Sequence, residues 1–211
     1  QLFACDSFKR EVIQTKATKD WLAELRMIFC FLEFSKCKCV DTSMFCHLFT
    51  FMYGVPINVE QQQDAAEFYQ RVIDLHPSGH IYKGQFLNEF KGMDQVIVST
   101  TSEDFSVIPV EVKTFNNLED SLDKFFSPEI STGYRVEGLD SEIDVSRVTR
   151  INHCPEQLVI QLNRFEYDTN EQRHKKITDF FEFPVCLDIG KWTVDGTSKV
   201  YRLVGVITHS G

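Results

Sequence analysis

The sequence lacks an excess of positive charge and has no long, uninterrupted hydrophobic run. Its 211 residues include 22 Lys and Arg against 31 Asp and Glu, a formal net charge of -9. Nucleic acid is therefore a disfavoured partner, because a phosphate backbone attracts basic surfaces. Apolar clusters such as 27–34 are interrupted by Cys and Glu before they could span a membrane, and no signal-peptide pattern opens the chain. We expect a soluble intracellular protein, cytoplasmic or nuclear, that binds no membrane.

The seven cysteines show no pattern typical of disulfides or of structural zinc. Their number is odd, and most lie in apolar surroundings where a free Cys packs as a small hydrophobic residue. Cys37, Cys39, Cys46 and His47 are potential metal ligands, but they lack paired two-residue spacers. Cys46 and His47 are neighbours in a predicted helix, so their side chains diverge by about 100°. We predict reduced thiols, no metal and no cofactor.

The chain up to His76 has the apolar spacing of helices. Asp20 is a typical first residue for a helix whose core-facing stripe consists of Trp21, Leu25, Ile28, Phe29 and Leu32. Residues 41–43 predict the start of a second helix with apolar residues Phe45, Leu48, Phe49 and Met52, ended by Gly54 and Pro56. A third helix is predicted over 62–75 and ends before Pro77, because the residue preceding proline avoids helical geometry.

Beyond Gly84 the pattern changes to short strands, with one helix that Asn117 can cap. The predicted strands are 95–101, 105–112, 145–151, 157–165 and 200–209. Alternating Leu158, Ile160 and Leu162 predict a core strand, and a turn at 168–170 predicts a hairpin. The aromatic run with Phe180, Phe181 and Phe183 is interpreted as its return strand. Helices followed by a largely antiparallel sheet predict an α+β fold.

Four motifs in the right order resemble those of ubiquitin-specific proteases. They are QQDAAEF at 62–68, NLEDSL at 117–122, LNRFEYD at 162–168 with FEFP at 181–184, and YRLVGVITHSG at 201–211. Each motif alone would be weak, but four in order make coincidence improbable. The resemblance implies a papain-like cysteine protease fold with a helical thumb over 1–76 and a β-rich palm and fingers over 77–211.

The resemblance also implies the reaction. Members of the family hydrolyse the bond after the C-terminal glycine of ubiquitin, using a cysteine thiolate activated by histidine. The family's nucleophile lies in a box that would precede Gln1, and its catalytic histidine lies in a turn that would follow Gly211. We therefore expect this chain alone to be inactive, although the parent protein can be an enzyme. Cys5 is interpreted as a packing residue and His209 as the noncatalytic histidine of the HSG motif.

No other cysteine and histidine in the chain form a convincing catalytic pair. His153 and Cys154 are adjacent in a predicted extended segment, so their side chains lie on opposite faces. Cys186 and His174 have no motif that supports a contact between them. The positions of the family's two zinc-binding CxxC pairs are occupied by GMDQ at 92–95 and VEGL at 136–139, which supply no thiolate.

The resemblance implies a substrate-binding set made of Gln62, Gln63, Asp64, Glu67, Phe165, Tyr167 and His209. Asp64 and Glu67 share a helix face and could accept hydrogen bonds from the arginine-bearing tail of ubiquitin, and the alternative is a solvated polar face or a helix cap. Phe165 and Tyr167 lie on one side of a strand, where we predict that they line the palm core, with one edge towards ubiquitin. Arg164 is expected on the opposite face as an ion-pair partner.

Three functions remain open at this point. The first is a monomeric deubiquitinase domain that binds ubiquitin and ubiquitinated proteins. The second is a noncatalytic ubiquitin-binding pseudoprotease or scaffold module. The third is an unrelated α+β scaffold, which would not contact ubiquitin.

Overall fold

The computed structural model describes residues 2–16, 20–37, 39–49, 57–61, 64–135, 142–168 and 172–208. They fall into two units, and each is described separately below. The helical unit contains the described residues up to Tyr82 together with 204–208, and the strand unit is Lys83–Leu203. The division into thumb and palm with fingers at residue 76 stays a prediction. Within the described ranges, no helix has the length and apolar character needed to cross a bilayer.

In its described residues, the helical unit has four α-helices and two short 3-10 helices. The α-helices are α1 (Asp6–Gln14), α2 (Trp21–Phe34), α3 (Ser43–Leu48) and α4 (Ala65–Leu75), and the 3-10 helices are Leu2–Ala4 and Pro77–Tyr82. The predicted start of α2 is confirmed, because the carboxylate of Asp20 accepts the N–H groups of Leu22 and Ala23. The predicted end of α4 is also confirmed, with His76 as the C-terminal capping residue. Met52, Gly54 and Pro56 lie outside the described residues.

The core of the helical unit is mostly aromatic. Phe8 of α1 is fully buried, and the centroid of its ring lies 4.8 Å from that of His76 and 5.4 Å from that of Tyr82. Leu25, Ile28 and Phe29 of α2 are buried as predicted. Leu32 is 44% exposed, so its predicted core position is wrong. The buried stripe of α2 is therefore narrower than its apolar sequence indicates.

The strand unit contains ten described strands and one α-helix. The strands are β1 (Gly84–Gly92), β2 (Ile97–Phe105), β3 (Ile108–Glu111), β4 (Glu129–Arg135), β5 (Glu142–His153), β6 (Ile160–Asn163), β7 (Phe165–Asp168), β8 (Arg173–Lys176), β9 (Cys186–Asp188) and β10 (Val200–Arg202). Helix α5 is Leu118–Phe125, and a 3-10 helix spans Gly190–Trp192. Asn117 caps α5 as predicted, because its Oδ1 accepts the N–H of Asp120 over 2.8 Å. The predicted α+β class is confirmed.

The main sheet is antiparallel and has the strand order β2-β1-β5-β4. Gly84 of β1 lies opposite Phe105 of β2, and the ring of Phe105 stacks on Phe86 with centroids 4.0 Å apart. A Cβ atom at Gly84 would lie 2.5 Å from the Phe105 ring, so glycine permits this approach. The hydrophobic core continues to Leu122 of α5 and Ile151 of β5, both buried. The predicted strand 200–209 is shorter in the structure, where β10 ends at Arg202.

The structure corrects the predicted hairpin. The core strand is confirmed in β6, which pairs in parallel with β3, and its apolar residues lie against the core. The hairpin itself is β7 with β8, so its return strand is the basic run Arg173–Lys176 rather than the aromatic run. Only Phe181 of that aromatic run is buried, whereas Phe180 is 78% exposed. An alternating apolar pattern is absent from β8, which explains why the sequence did not reveal it.

Candidate functional site

The two carboxylates that the motif singles out lie at the start of α4. Asp64 is the N-terminal cap of this helix, and its Oδ1 accepts the N–H of Ala66 over 2.6 Å and that of Glu67 over 3.2 Å. Glu67 lies in the first turn, and both residues are exposed. The alternative role of a helix cap is therefore confirmed for Asp64. Because the cap uses only Oδ1, the second oxygen of Asp64 and the carboxylate of Glu67 are available to a cationic group.

The rest of α4 fixes the position of these carboxylates. Tyr69, Val72 and Ile73 are buried on the face of α4 that lies against the other helices. At the far end, the backbone N–H of His76 donates to the carbonyl of Val72 over 2.9 Å. A helix held along one side and capped at its start presents its first turn with little freedom to reorganise. The capped first turn of α4 thus carries two exposed carboxylates, Asp64 and Glu67.

The remaining members of the predicted substrate-binding set are less well defined. Gln62, Gln63 and His209 lie outside the described residues. Phe165 and Tyr167 belong to β7 in the strand unit and are 57% and 56% exposed. The prediction that they line the core is wrong, because β7 belongs to a two-stranded hairpin instead of a buried sheet. Their role in substrate binding stays a prediction.

Arg164 is the residue before β7, and its hydrogen-bond partners are not the carboxylate that the predicted ion pair requires. Its Nη1 donates to the carbonyl oxygens of Ile177 over 3.1 Å and Asp179 over 3.0 Å. In return, the backbone N–H of Ile177 donates to the carbonyl of Arg164 over 2.7 Å. Arg164 therefore binds main-chain oxygens rather than a carboxylate, and it secures the segment that follows the hairpin.

Cys5 has the surroundings of a packing residue, as the sequence predicts. It is 2% exposed, caps the start of α1, and its Sγ accepts the N–H of Phe8 over 3.4 Å. A thiol that is enclosed in this way has no access to a substrate. Cys154 is half-buried, and burial raises the pKa of its thiol above the ordinary value. Neither residue has the properties of an activated nucleophile.

No cysteine in the described part of the chain is hydrogen-bonded to a histidine. His76 is the most buried histidine there, and its Nδ1 accepts the N–H of Ser78 over 3.1 Å. Burial lowers the pKa of His76, and the charge of Glu11 acts in the opposite direction. His76 is therefore a neutral structural residue. The sequence marked it only as a helix end, because its burial depends on rings from α1 and α2.

One of the two positions that correspond to the family's zinc-binding pairs lies among the described residues. Residues 92–95 form the turn between β1 and β2, where Gln95 has φ of 66° and Asp94 Oδ1 accepts the N–H of Val96 over 3.1 Å. The second position, 136–139, lies outside the described residues. Among the residues described, no three His, Cys, Asp or Glu side chains are grouped so that they could hold a metal ion.

A shallow cleft in the strand unit lies at the start of α5. It has a volume of about 360 Å³ and is lined by Asn117, Glu119, Asp120, Glu182 and Pro184. The main chain closes one side, since the N–H of Leu118 donates to the carbonyl of Glu182 over 2.9 Å. The lining contains no thiol or imidazole, so this cleft cannot catalyse hydrolysis by a cysteine nucleophile.

Comparisons with known proteins agree with the motifs. Ubiquitin carboxyl-terminal hydrolase 9Y of Homo sapiens is 29% identical over 201 residues, which cover 76% of this chain and 8% of the relative. The probable ubiquitin carboxyl-terminal hydrolase FAF of Drosophila melanogaster is 30% identical over 193 residues, again 76% of this chain and 7% of the relative. The chain thus spans less than a tenth of these two relatives.

Solved structures have the same fold. A structure of the SAGA DUB module with Ubp8, Sgf11, Sus1 and Sgf73 matches with a TM-score of 0.75 and 21% identity, covering all of this chain and 54% of the other. A ubiquitin aldehyde complex of that module matches with a TM-score of 0.65 and 20% identity, covering 50% of the other chain. The predicted papain-like deubiquitinase fold is confirmed. The family model for ubiquitin carboxyl-terminal hydrolase matches residues 1–211, and the chain therefore belongs to this family.

Proposed function

We propose that the parent protein is a thiol-dependent deubiquitinase that hydrolyses peptide or isopeptide bonds after the C-terminal glycine of ubiquitin. In this proposal the present chain supplies ubiquitin-binding surface. The observation that carries it is the pair of exposed carboxylates on the capped first turn of α4, within the QQDAAEF motif. Family membership over all 211 residues supports the reaction class.

The α4 carboxylates are chemically suited to an arginine-bearing tail. A guanidinium offers several N–H donors in a planar fork, and its hydrogen bonds to carboxylates are stronger than neutral ones. Oδ1 of Asp64 is held by two backbone N–H groups, so the orientation of this carboxylate is set before substrate arrives. Glu67 follows three residues later and shares the face. An extended tail that passes this turn can thus bind both residues.

The bond-breaking groups are proposed to come from parts of the parent protein beyond this sequence. A cysteine thiolate would attack the carbonyl carbon of the ubiquitin glycine, and histidine would give its proton to the departing amine. Water would then hydrolyse the thioester and regenerate the thiolate. The inaccessible Sγ of Cys5 and the raised pKa of the Cys154 thiol support the proposal that the 211 residues alone do not turn over substrate.

The test is a titration of fluorescently labelled ubiquitin with the chain and its variants. Glu67→Lys should weaken binding roughly tenfold or more, because an attraction to the tail becomes a repulsion. Glu24→Lys is the matched control, since Glu24 lies in the first turn of α2 and the change in charge is the same. Equal effects of both variants, or no binding by the unmodified chain, would refute the proposed site.

Activity is tested separately with a ubiquitin–fluorophore amide. The 211-residue chain should release no fluorophore, whereas the parent protein should release it at a rate that a thiol-alkylating reagent abolishes. Turnover by the chain alone would disprove our assignment of the catalytic groups. A parent protein that binds ubiquitin without turnover would instead be a pseudoprotease, and the proposed reaction would be wrong.

A further inference from the structure

One edge of the main sheet is formed by a long, regular strand, β2. Strand β2 lies at one end of the order β2-β1-β5-β4, and residues 99–105 pair with β1 without a break in register. In the described part of the chain, the backbone of β2 is paired with β1 alone. Alternate N–H and C=O groups of an edge strand face outward and can pair with another chain. The outer side of β2 is thus a template for one more strand.

Proteins usually block such an edge with lysine, proline or a bulge. The opposite edge of this sheet has such features: β4 contains Gly133 with φ of 71°, a register shift between Ser131 and Tyr134, and the basic side chain of Arg135. Residues 99–105 contain neither proline nor lysine, and the first four of them are Ser or Thr. The bulge in the β1–β2 pairing lies nearer the turn, between Phe90 and Lys91. The two edges therefore differ, and among the described residues β2 has the more regular outer edge.

The charges on β2 indicate what kind of segment could pair with it. The strand has two carboxylates, Glu103 and Asp104, and no basic side chain. Asp104 accepts a hydrogen bond from Nε2 of Gln85 over 3.1 Å, and the exposed Glu103 has no partner among the described residues. The β1 residues opposite these two carboxylates are Phe86 and Gln85, whereas Lys91 lies opposite Ile97 at the other end and is paired with Glu89 over 3.2 Å. The end with the two carboxylates therefore favours a basic partner.

The other end of β2 is apolar. Ile97 is 49% exposed, and in the adjoining turn Val96 and Met93 are 58% and 71% exposed. Exposed apolar side chains beside an open strand can anchor a bound peptide, while main-chain hydrogen bonds supply much of the affinity. The edge thus has an acidic end and an apolar end.

We propose that the outer edge of β2 binds an extended segment of a partner protein by strand addition. The segment carries basic side chains opposite Glu103 and Asp104 and apolar side chains near Ile97. This docking surface belongs to the strand unit, includes no residue of α4, and does not depend on the proposed hydrolase function. It would connect the domain to another protein through its sheet.

The experiment uses the full 211-residue chain and short synthetic peptides. The probe is a peptide that alternates Thr and Val and carries two Lys residues at one end. Two versions are made, with the Lys pair at the N-terminus or at the C-terminus, so that both parallel and antiparallel pairing with β2 are tested. Hydrogen–deuterium exchange should show protection of backbone amides in residues 99–105 on binding. The same peptide with alternate amides N-methylated should lose at least tenfold in affinity, because it cannot complete the ladder. An analogue with Glu in place of Lys should also bind less well.

Variants separate strand addition from simple charge attraction. Glu103→Lys should weaken binding of the basic peptide roughly three- to tenfold. Asp144→Lys makes the same charge change on β5, a strand paired on both sides, and should have little effect. Equal losses in both variants, or full affinity of the N-methylated peptide, would overturn the proposal. The proposal would also be overturned if the peptide failed to protect the amides of residues 99–105. The same holds if ubiquitin or self-association of the chain, rather than the peptide, protected them.

Discussion

The backbone N–H of Glu67 donates to Oδ1 of Asp64 over 3.2 Å, so the carboxylate of Asp64 caps the same helical turn that carries Glu67. This position gives Asp64 two roles, in stability and in the proposed recognition of ubiquitin. Charge reversal at Asp64 would alter both at once. The two roles can nevertheless be separated, because asparagine can cap a helix without a negative charge.

The first prediction concerns Asp64. Asp64→Ala should lower the free energy of unfolding by about 1 kcal/mol, because two N–H groups lose their acceptor. Asp64→Asn should leave stability nearly unchanged, yet both variants should bind labelled ubiquitin more weakly. Urea denaturation and the ubiquitin titration measure the two effects. If Asn costs as much stability as Ala, the cap does not have the geometry described.

The second prediction concerns Gly79, in the 3-10 helix after α4. A Cβ atom there would lie 1.8 Å from the carbonyl oxygen of Ile73, so Gly79→Ala must displace backbone. We expect a loss of roughly 2–3 kcal/mol or more in the free energy of unfolding. Gly196→Ala is the control: it has φ of 67° but no atom within 4 Å, and should cost only about 1 kcal/mol. Similar midpoints for the two variants in urea would contradict the close approach.

The third prediction concerns pH. Burial lowers the pKa of His76 below its ordinary value of 6.5, so the unfolded chain takes up this proton before the folded one does. The free energy of unfolding should therefore fall as pH drops below about 6.5 and should level off only below the folded-state pKa. Urea denaturation between pH 8 and pH 5 measures this slope.

Two histidine variants identify the source of that slope. His76→Gln should be less stable at pH 8, because packing against Phe8 is lost, but its stability should depend less on pH. His80→Gln is the matched control: it removes an exposed imidazole from the 3-10 helix that follows α4 and should not lower the stability at pH 8. A His76→Gln variant with an unchanged pH dependence would exclude His76 as the titrating group.

The fourth prediction concerns a connection between α5 and the 3-10 helix that follows β9. Oδ1 of Asp123 accepts the indole N–H of the buried Trp192 over 2.9 Å, and Oδ2 accepts Nζ of Lys191 over 2.9 Å. Asp123→Ala should cost about 1–3 kcal/mol, because it leaves a buried donor unpaired. Lys191→Met should cost less than about 1 kcal/mol, as expected for an exposed ion pair. Unfolding followed by tryptophan fluorescence should rank the variants in this order, and a reversed ranking would refute the argument.

Features set by neighbouring residues could be predicted from the sequence. Asp20 and Asn117 begin their helices because each side chain caps N–H groups two or three residues away. The end of α4 at His76 follows from the steric effect of the next proline. Asp64 was found through its motif, and its cap is again a local interaction.

Features that depend on distant contacts were missed. The return strand β8 is basic and has no apolar alternation, so nothing in its own sequence distinguishes it from a loop. The aromatic run after it looked like core, but the core accepts Phe181 alone and leaves Phe180 exposed. The buried environment of His76 is created by Phe8 and Trp21, which are far away in sequence. Such burial is a tertiary property.

The parallel pairing of β3 with β6 has a consequence for how the chain acquires its structure. Ile108 and Ile160 are partners some fifty positions apart, and the intervening chain contains α5, β4 and β5. Bringing such distant segments together costs loop-closure entropy before any contact repays it. We therefore expect the β3–β6 pair to form later than the helices, which depend on local contacts. Until it forms, the apolar faces of β3 and β6 stay exposed, and that exposure favours aggregation.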